Sequence, residues 1–173
     1  SCTEEYDGST WSAGGALSTA RYLLAGAGTQ NAGLAFGGGE PSAVSCTEEY
    51  DGTSWSAGGA LSTARYTLAG AGTQTAALAG AGQNASKLAN VEIYDGSSWT
   101  EVTDVNLARS FSSGFGTTTA GLIAGGLPGS FPPFSTANTE TWNGSAWTEV
   151  NNLNTARGAA GSATSSPNTA GLI

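Results

Sequence analysis

The feature that most constrains this chain is that it repeats itself. Residues 3–30 read TEEYDGSTWSAGGALSTARYLLAGAGTQ and residues 47–74 read TEEYDGTSWSAGGALSTARYTLAGAGTQ. Two looser copies follow. An aromatic residue, an acid and a glycine fall together at Tyr6-Asp7-Gly8, Tyr50-Asp51-Gly52 and Tyr94-Asp95-Gly96, with Trp142-Asn143-Gly144 as the fourth, at spacings of 44, 44 and 48 residues. Trp11, Trp55, Trp99 and Trp147 keep these spacings, and so do Arg21, Arg65, Arg109 and Arg157. The longer last interval contains GGLPGSFPPFSTAN. Self-similarity at a fixed period means one supersecondary unit stacked on its copies. The sequence therefore reads as one domain, 1–173, of four units at about 1–44, 45–88, 89–136 and 137–173.

Each unit divides into four short runs separated by turn residues. In the frame of the second unit these are ARYTLAGAG, TAALAGAG, ANVEIYDG and SSWTEV. Strict alternation in VEIYDG places Val91 and Ile93 on one side of a strand and Glu92 and Tyr94 on the other. The Asp-Gly pair that follows supplies a turn, because glycine tolerates the positive φ of a hairpin bend. Four strands per unit and a period in the low forties predict an all-β fold, a β-propeller of four four-stranded blades.

The order of these signals resembles the kelch repeat of β-propellers: an arginine strand, a strand ending in paired glycines at Gly37-Gly38 and Gly125-Gly126, a strand ending in Tyr-Asp, and a tryptophan strand. The resemblance covers the whole chain in a short form of the repeat, with Gly80-Ala81-Gly82 in the second unit and a shorter gap from tyrosine to tryptophan. The DGSTW turn is also similar to the Asp-box hairpin of sialidase-type propellers, though here Asp and Gly are adjacent. Both resemblances imply a propeller. Short Gly/Ala/Thr-rich kelch-like repeats of this kind resemble those of phage and environmental bacterial sequences, which implies an extracellular or virion-associated setting.

With strands lettered a to d from the axis outward, the chain opens on a strand c, SCTEEYDG, and its last residues, NTAGLI, read as a strand b. Strands a and b near 156–173 and strands c and d near 1–15 are complementary halves of one blade. Pairing them closes the ring at four blades and removes open sheet edges. Closure between copies would instead give larger rings or polymers. The inner strands LAGAG, LAGAG, SSGFG and GAAGSA favour the small ring, because few blades crowd the axis and small side chains relieve that crowding.

Composition narrows the function classes. Five basic residues oppose thirteen acidic ones, a net charge of −8, so a phosphate backbone is not an expected partner. No apolar run is long enough for a membrane span, and no membrane insertion is expected. The chain has no histidine, which removes the usual Ser-His and Cys-His nucleophiles and every imidazole metal ligand. A carboxylate pair could support glycoside hydrolysis, but the acids recur with the repeat, whereas catalysis needs one asymmetric constellation. The expected protein is not an enzyme and carries no cofactor.

The recurrent residues read as structural. Trp11, Trp55, Trp99 and Trp147 are expected to pack between blades. The arginines Arg21, Arg65, Arg109 and Arg157 match Glu4, Glu48, Glu92 and Glu140 one for one, which suggests a repeated ion pair or a guanidinium-to-carbonyl clamp. A sharper alternative is a ring of arginines that holds an anion. Asp7, Asp51, Asp95 and Asn143 are turn formers, and no D-x-D-x-D calcium loop is present. Cys2 and Cys46 hold equivalent positions in adjacent units, about 22 Å apart for strands spaced at ~4.8 Å, far beyond the ~7 Å a disulfide spans. They are expected as free thiols or links between subunits.

Two functional classes remain. The first is a non-enzymatic structural or assembly protein, a self-associating bead of a virion, appendage or extracellular filament. The second is a module that recognises a glycan or a protein with one propeller face. The most distinctive segment, LPGSFPPFSTAN, carries Phe131, Pro132, Pro133 and Phe134 as a candidate subunit contact or binding lip.

Overall fold

A computed structural model describes residues 1–129, 134–162, 167–170 and 173. The fold is all-β, and no helix occurs among the described residues. Strands β1 (Glu4–Tyr6) and β2 (Trp11–Ala13) form a two-stranded hairpin. The first four-stranded antiparallel sheet joins β3 (Ala25–Thr29), β4 (Ala32–Phe36), β7 (Thr47–Tyr50) and β8 (Trp55–Gly58) in sequence order, with a small hairpin of β5 (Gly39–Glu40) and β6 (Ser42–Ala43) between its middle strands. The second sheet is β9 (Ala69–Thr73), β10 (Ala76–Gly80), β11 (Val91–Tyr94) and β12 (Trp99–Val102). After β13 (Arg109–Ser110) come β14 (Ser113–Gly116) and β15 (Gly121–Ala124), then β16 (Leu127–Pro128), β17 (Thr139–Trp142) and β18 (Trp147–Val150). In the third sheet the order is β14, β15, β17, β18, and β13 pairs with β16 beside it.

Register follows the repeat. Tyr6 faces Trp11, Tyr50 faces Trp55, Tyr94 faces Trp99 and Trp142 faces Trp147 across their hairpins. Each hairpin turns through four residues. In the turn after Tyr94 the Asp95 carboxylate accepts the Ser97 and Ser98 N–H groups at 2.9 and 2.8 Å, and Gly96 sits at φ +94. A short acceptor bonding its own backbone and a glycine at positive φ together fix this bend.

The first strands of the three sheets lie side by side. A Cβ on Gly70 would stand 2.8 Å from Gly26 O and 3.1 Å from Ala25 Cβ, so β3 and β9 come together at a distance that only glycine allows here. That is the physical reason for the LAGAG strands. Leu23, Thr67 and Phe111, just before these strands, and Ala159 in the C-terminal segment adopt the left-handed region without being glycine, with φ from 54 to 58. Their backbones are stitched in series. Thr67 N–H donates to Leu23 O at 2.8 Å, Phe111 N–H to Thr67 O at 2.9 Å and Ala159 N–H to Phe111 O at 2.9 Å. These four residues line one cavity of about 370 Å³.

The core sits between adjacent sheets. Phe36, Leu68, Ala77, Tyr94 and Trp99 pack in one buried cluster, and Leu78, Val91, Ile123, Trp142 and Trp147 in a second. The expectation that strands near 156–173 complete the sheet of β1 and β2 falls in part on residues 163–166 and 171–172, which lie outside the described residues.

Candidate functional site

The most elaborate polar site is a buried clamp built three times. Arg65 precedes β9, Glu92 lies on β11 of the same sheet, and Arg65 Nη2 stands 2.9 Å from Glu92 Oε1 with both side chains fully buried. The Glu92 carboxylate also accepts the backbone N–H of Ser62 at 2.7 Å and of Thr63 at 3.3 Å, both in the loop that leaves the first sheet. One carboxylate therefore ties β11 and the segment before β9 to the loop that leaves the first sheet. Arg21 and Glu48 repeat the contact at 3.3 Å, with the Ser18 N–H and hydroxyl donating to Glu48 at 2.7 and 2.6 Å. Arg109 and Glu140 repeat it at 3.1 Å, with the Asn106 N–H and side-chain amide both donating at 2.7 Å.

Other arginine donors reach carbonyls, while Nε of Arg21, Arg65 and Arg109 and Nη1 of Arg109 are buried without a hydrogen-bond partner among the described residues. Arg65 donates to Asn90 O at 2.8 Å and Arg21 to Cys46 O at 2.6 Å, crossing between strands as a planar fork can. Burial pulls the Arg65 and Arg109 guanidinium pKa below its ordinary value, and the facing Glu92 and Glu140 carboxylates act against that fall. Arg21, Arg65 and Arg109 thus face carboxylates of their own sheets. The fourth set differs: Glu4 and Arg157 are exposed, and among the described residues neither has an ionic partner.

The aromatic pairs show the same division. Trp99 packs at a tilt of 53° against Phe36 of the first sheet with ring centroids 4.8 Å apart and donates its indole N–H to Thr47 Oγ1 at 2.9 Å. Trp147 donates to Thr103 O at 3.1 Å, also reaching the preceding sheet. Trp55 is half-buried, whereas Trp11 is 67 % exposed and its neighbour Tyr6 47 %. Two phenols bridge to the preceding unit: Tyr50 O–H donates to Glu5 and Tyr94 O–H to Glu49. Burial first, and then the Glu49 carboxylate, push the Tyr94 pKa up to about 12. For Tyr50 the Glu5 hydrogen bond is the larger cause of a rise.

The turn acids hold their own backbone. Asp7 accepts from Ser9 and Thr10 N–H at 2.8 and 2.7 Å, Asp51 from Thr53 and Ser54 at 2.8 Å each, and Asn143 from Ser145 and Ala146 at 3.0 and 2.9 Å. The Ser98 N–H, followed by the Ser97 bonds, lowers the Asp95 pKa to about 2. Cys2 is exposed and Cys46 half-buried; both are free thiols, and Arg21 Nη1 lies 3.1 Å from Cys46 Sγ. Among the described residues no three His, Cys, Asp or Glu side chains converge to hold a metal ion. Of the candidate loop, Phe131, Pro132 and Pro133 lie outside the described residues, and Phe134 is 71 % exposed.

Sequence reasoning missed the third member of the clamp, the loop donor. Its signal was present: Ser18, Ser62, Asn106 and Asn154 each stand three residues before a recurrent arginine. Compared with protein-family models and with curated proteins, the chain matches none.

Proposed function

We propose that this chain is a non-enzymatic structural module, a four-bladed β-propeller of kelch-like repeats that serves as a self-associating bead of a virion, appendage or extracellular filament. The observation that carries the reading is the use made of the recurrent charges. In three successive units the arginine, the glutamate and the loop donor are committed to fastening one sheet to the next, which leaves these recurrent charges unavailable for chemistry. Ring closure would bring the β1–β2 hairpin to the C-terminal segment and set Arg157 and the Asn154 loop against Glu4 as a fourth clamp, a pairing not made among the described residues. Two features support closure within one chain. The cavity shared by Leu23, Thr67, Phe111 and Ala159 already draws on all four units, and Glu5 meets Tyr50 as Glu49 meets Tyr94.

Light scattering across a concentration series tests the reading. The expected result is a folded 17.1 kDa particle on dilution that associates into defined multiples on concentration. A particle that stays at one mass throughout, at concentrations up to the solubility limit, removes the assembly role.

A second reading, recognition through one end of the molecule, is favoured by where the first two units differ. Seven of the nine positions in FGGGEPSAV at 36–44 differ from GAGQNASKL at 80–88, and these stretches run from the end of the second strand through the segment that joins it to the third. Leu23 against Thr67 lies at the same end, since Tyr22 bridges to Gly39 and Tyr66 to Gln83.

A further inference from the structure

Within that variable end, two side chains repeat: Tyr22 and Tyr66, each following a clamp arginine. Tyr22 is 53 % exposed, yet its position is set by the loop beside it. Its hydroxyl donates to Pro41 O at 3.1 Å, and its ring lies against Gly39, where a Cβ would stand 3.1 Å from Cζ. Tyr66 is half-buried, and its hydroxyl donates to Asn84 O at 3.4 Å. Both aromatic rings are therefore pinned at the hydroxyl end and held to a loop, a preorganised state that lowers the entropy cost of binding.

A cleft of about 570 Å³ is lined by Pro41, to whose carbonyl Tyr22 is bonded, and by Tyr66 and Asn84; Tyr22 itself stands outside the lining. Ser42, Ala43, Ser62 and Thr63 also line it. No Asp, Glu, Lys or Arg lines it among the described residues. Its size lies within the usual range of ligand sites, roughly 300–1,000 Å³. A cleft with one aromatic ring in its lining, hydroxyls and one amide, but no charged lining residue, suits a ligand that is itself neutral and polyhydroxylated. A pyranose ring presents C–H groups to an aromatic face and hydroxyls to Ser, Thr and Asn. An anionic glycan would approach a chain of net charge −8.

We propose that Tyr66, which lines the cleft, and Tyr22, exposed beside it on Pro41, are stacking platforms for a neutral oligosaccharide seated in the cleft. This rests on the recognition reading and leaves the scaffold intact beneath it. The test is calorimetric titration of the full chain with maltohexaose, cellohexaose, laminarihexaose, mannohexaose and chitohexaose, and with hyaluronan and alginate oligomers as anionic controls. At least one neutral hexaose is expected to bind, with the anionic oligomers weaker. Tyr22→Ala and Tyr66→Ala are each expected to weaken binding about tenfold, for an aromatic contact near 1.4 kcal/mol, while Tyr22→Phe keeps most of it. Binding by no neutral probe, equal binding of the anionic oligomers, or affinity that survives the double alanine variant overturns the proposal. Circular dichroism and particle mass of the same variants report separately on the scaffold, and binding at another surface would leave the recognition reading standing without these tyrosines.

Discussion

Replacing Glu92 by alanine should damage this protein more than any surface change of similar size. The carboxylate is fully buried and accepts three bonds, from Arg65 Nη2 at 2.9 Å and from the Ser62 and Thr63 N–H groups at 2.7 and 3.3 Å. Glu92→Ala leaves a buried guanidinium without its counter-charge, a loss of about 3–5 kcal/mol. Two backbone donors lose their acceptor as well, at roughly 1–3 kcal/mol each if they stay dry. Domains of this size hold about 5–15 kcal/mol in total, so the variant should be close to unfolding. Urea denaturation followed by tryptophan fluorescence measures the change. Glu92→Gln keeps the shape and one acceptor and should cost less, about 1–3 kcal/mol. Glu101→Ala, on the exposed side of the neighbouring strand, should stay within about 0.5 kcal/mol. Joint replacement by apolar residues, Arg65→Met with Glu92→Leu, should recover much of the loss, because no charge is then left buried. A Glu92→Ala cost below about 1 kcal/mol would refute the reasoning, since a buried clamp of this kind cannot be that cheap to break.

Three further outcomes follow from the same geometry. Gly70→Val should destabilise the fold by about 1–3 kcal/mol through overpacking, because even a Cβ there meets Gly26 O at 2.8 Å; an unchanged denaturation midpoint would contradict the close approach of β3 and β9. The turn acids have folded pKa values below the ordinary 3.8, about 2 for Asp95, so their stabilisation is complete above the ordinary value and is lost as pH falls through the folded one. Asp95→Asn should therefore flatten the acid limb of the stability curve between about pH 4 and 2, and an unaltered limb would argue against the turn bonds. Tyr50 and Tyr94 are shifted the other way, so their contribution is complete below the ordinary 10.0 and is lost as pH rises through the folded value, about 12 for Tyr94. Ultraviolet titration should show two late phenols, and Glu49→Ala should bring Tyr94 only part of the way back, because burial is the larger cause.

The sheets were legible because the repeat forces every unit to use the same solution. Period, alternation in VEIY and the Asp-Gly turns place strands near β11 and β12, and the equivalent strands follow by translation. The one-for-one count of arginine and glutamate pointed to the clamp, but the Ser62 and Thr63 donors lie about thirty residues from Glu92 and reach it only because one sheet packs on the next. A donor that is a backbone N–H leaves no side-chain signature. The left-handed residues Leu23, Thr67, Phe111 and Ala159 were also hidden, since leucine, threonine and phenylalanine at positive φ run against local preference. Tertiary hydrogen bonding in series holds them there. The pinning of Tyr22 depends on Pro41 in a hairpin that no periodicity announces.

The claim that the repeat closes into a four-bladed ring within one chain is tested most directly by a double-mutant cycle on Glu4 and Arg157, measured by urea unfolding at a protein concentration where light scattering shows single chains. A closed ring makes this pair the fourth clamp, and the cycle should give a coupling of at least about 1.5 kcal/mol, within the 0.5–3 kcal/mol typical of residues in contact. Glu4→Ala alone should then approach the cost of Glu92→Ala. A coupling indistinguishable from zero, with Glu4→Ala costing less than about 0.5 kcal/mol as an exposed residue would, would contradict closure of the ring through this pair.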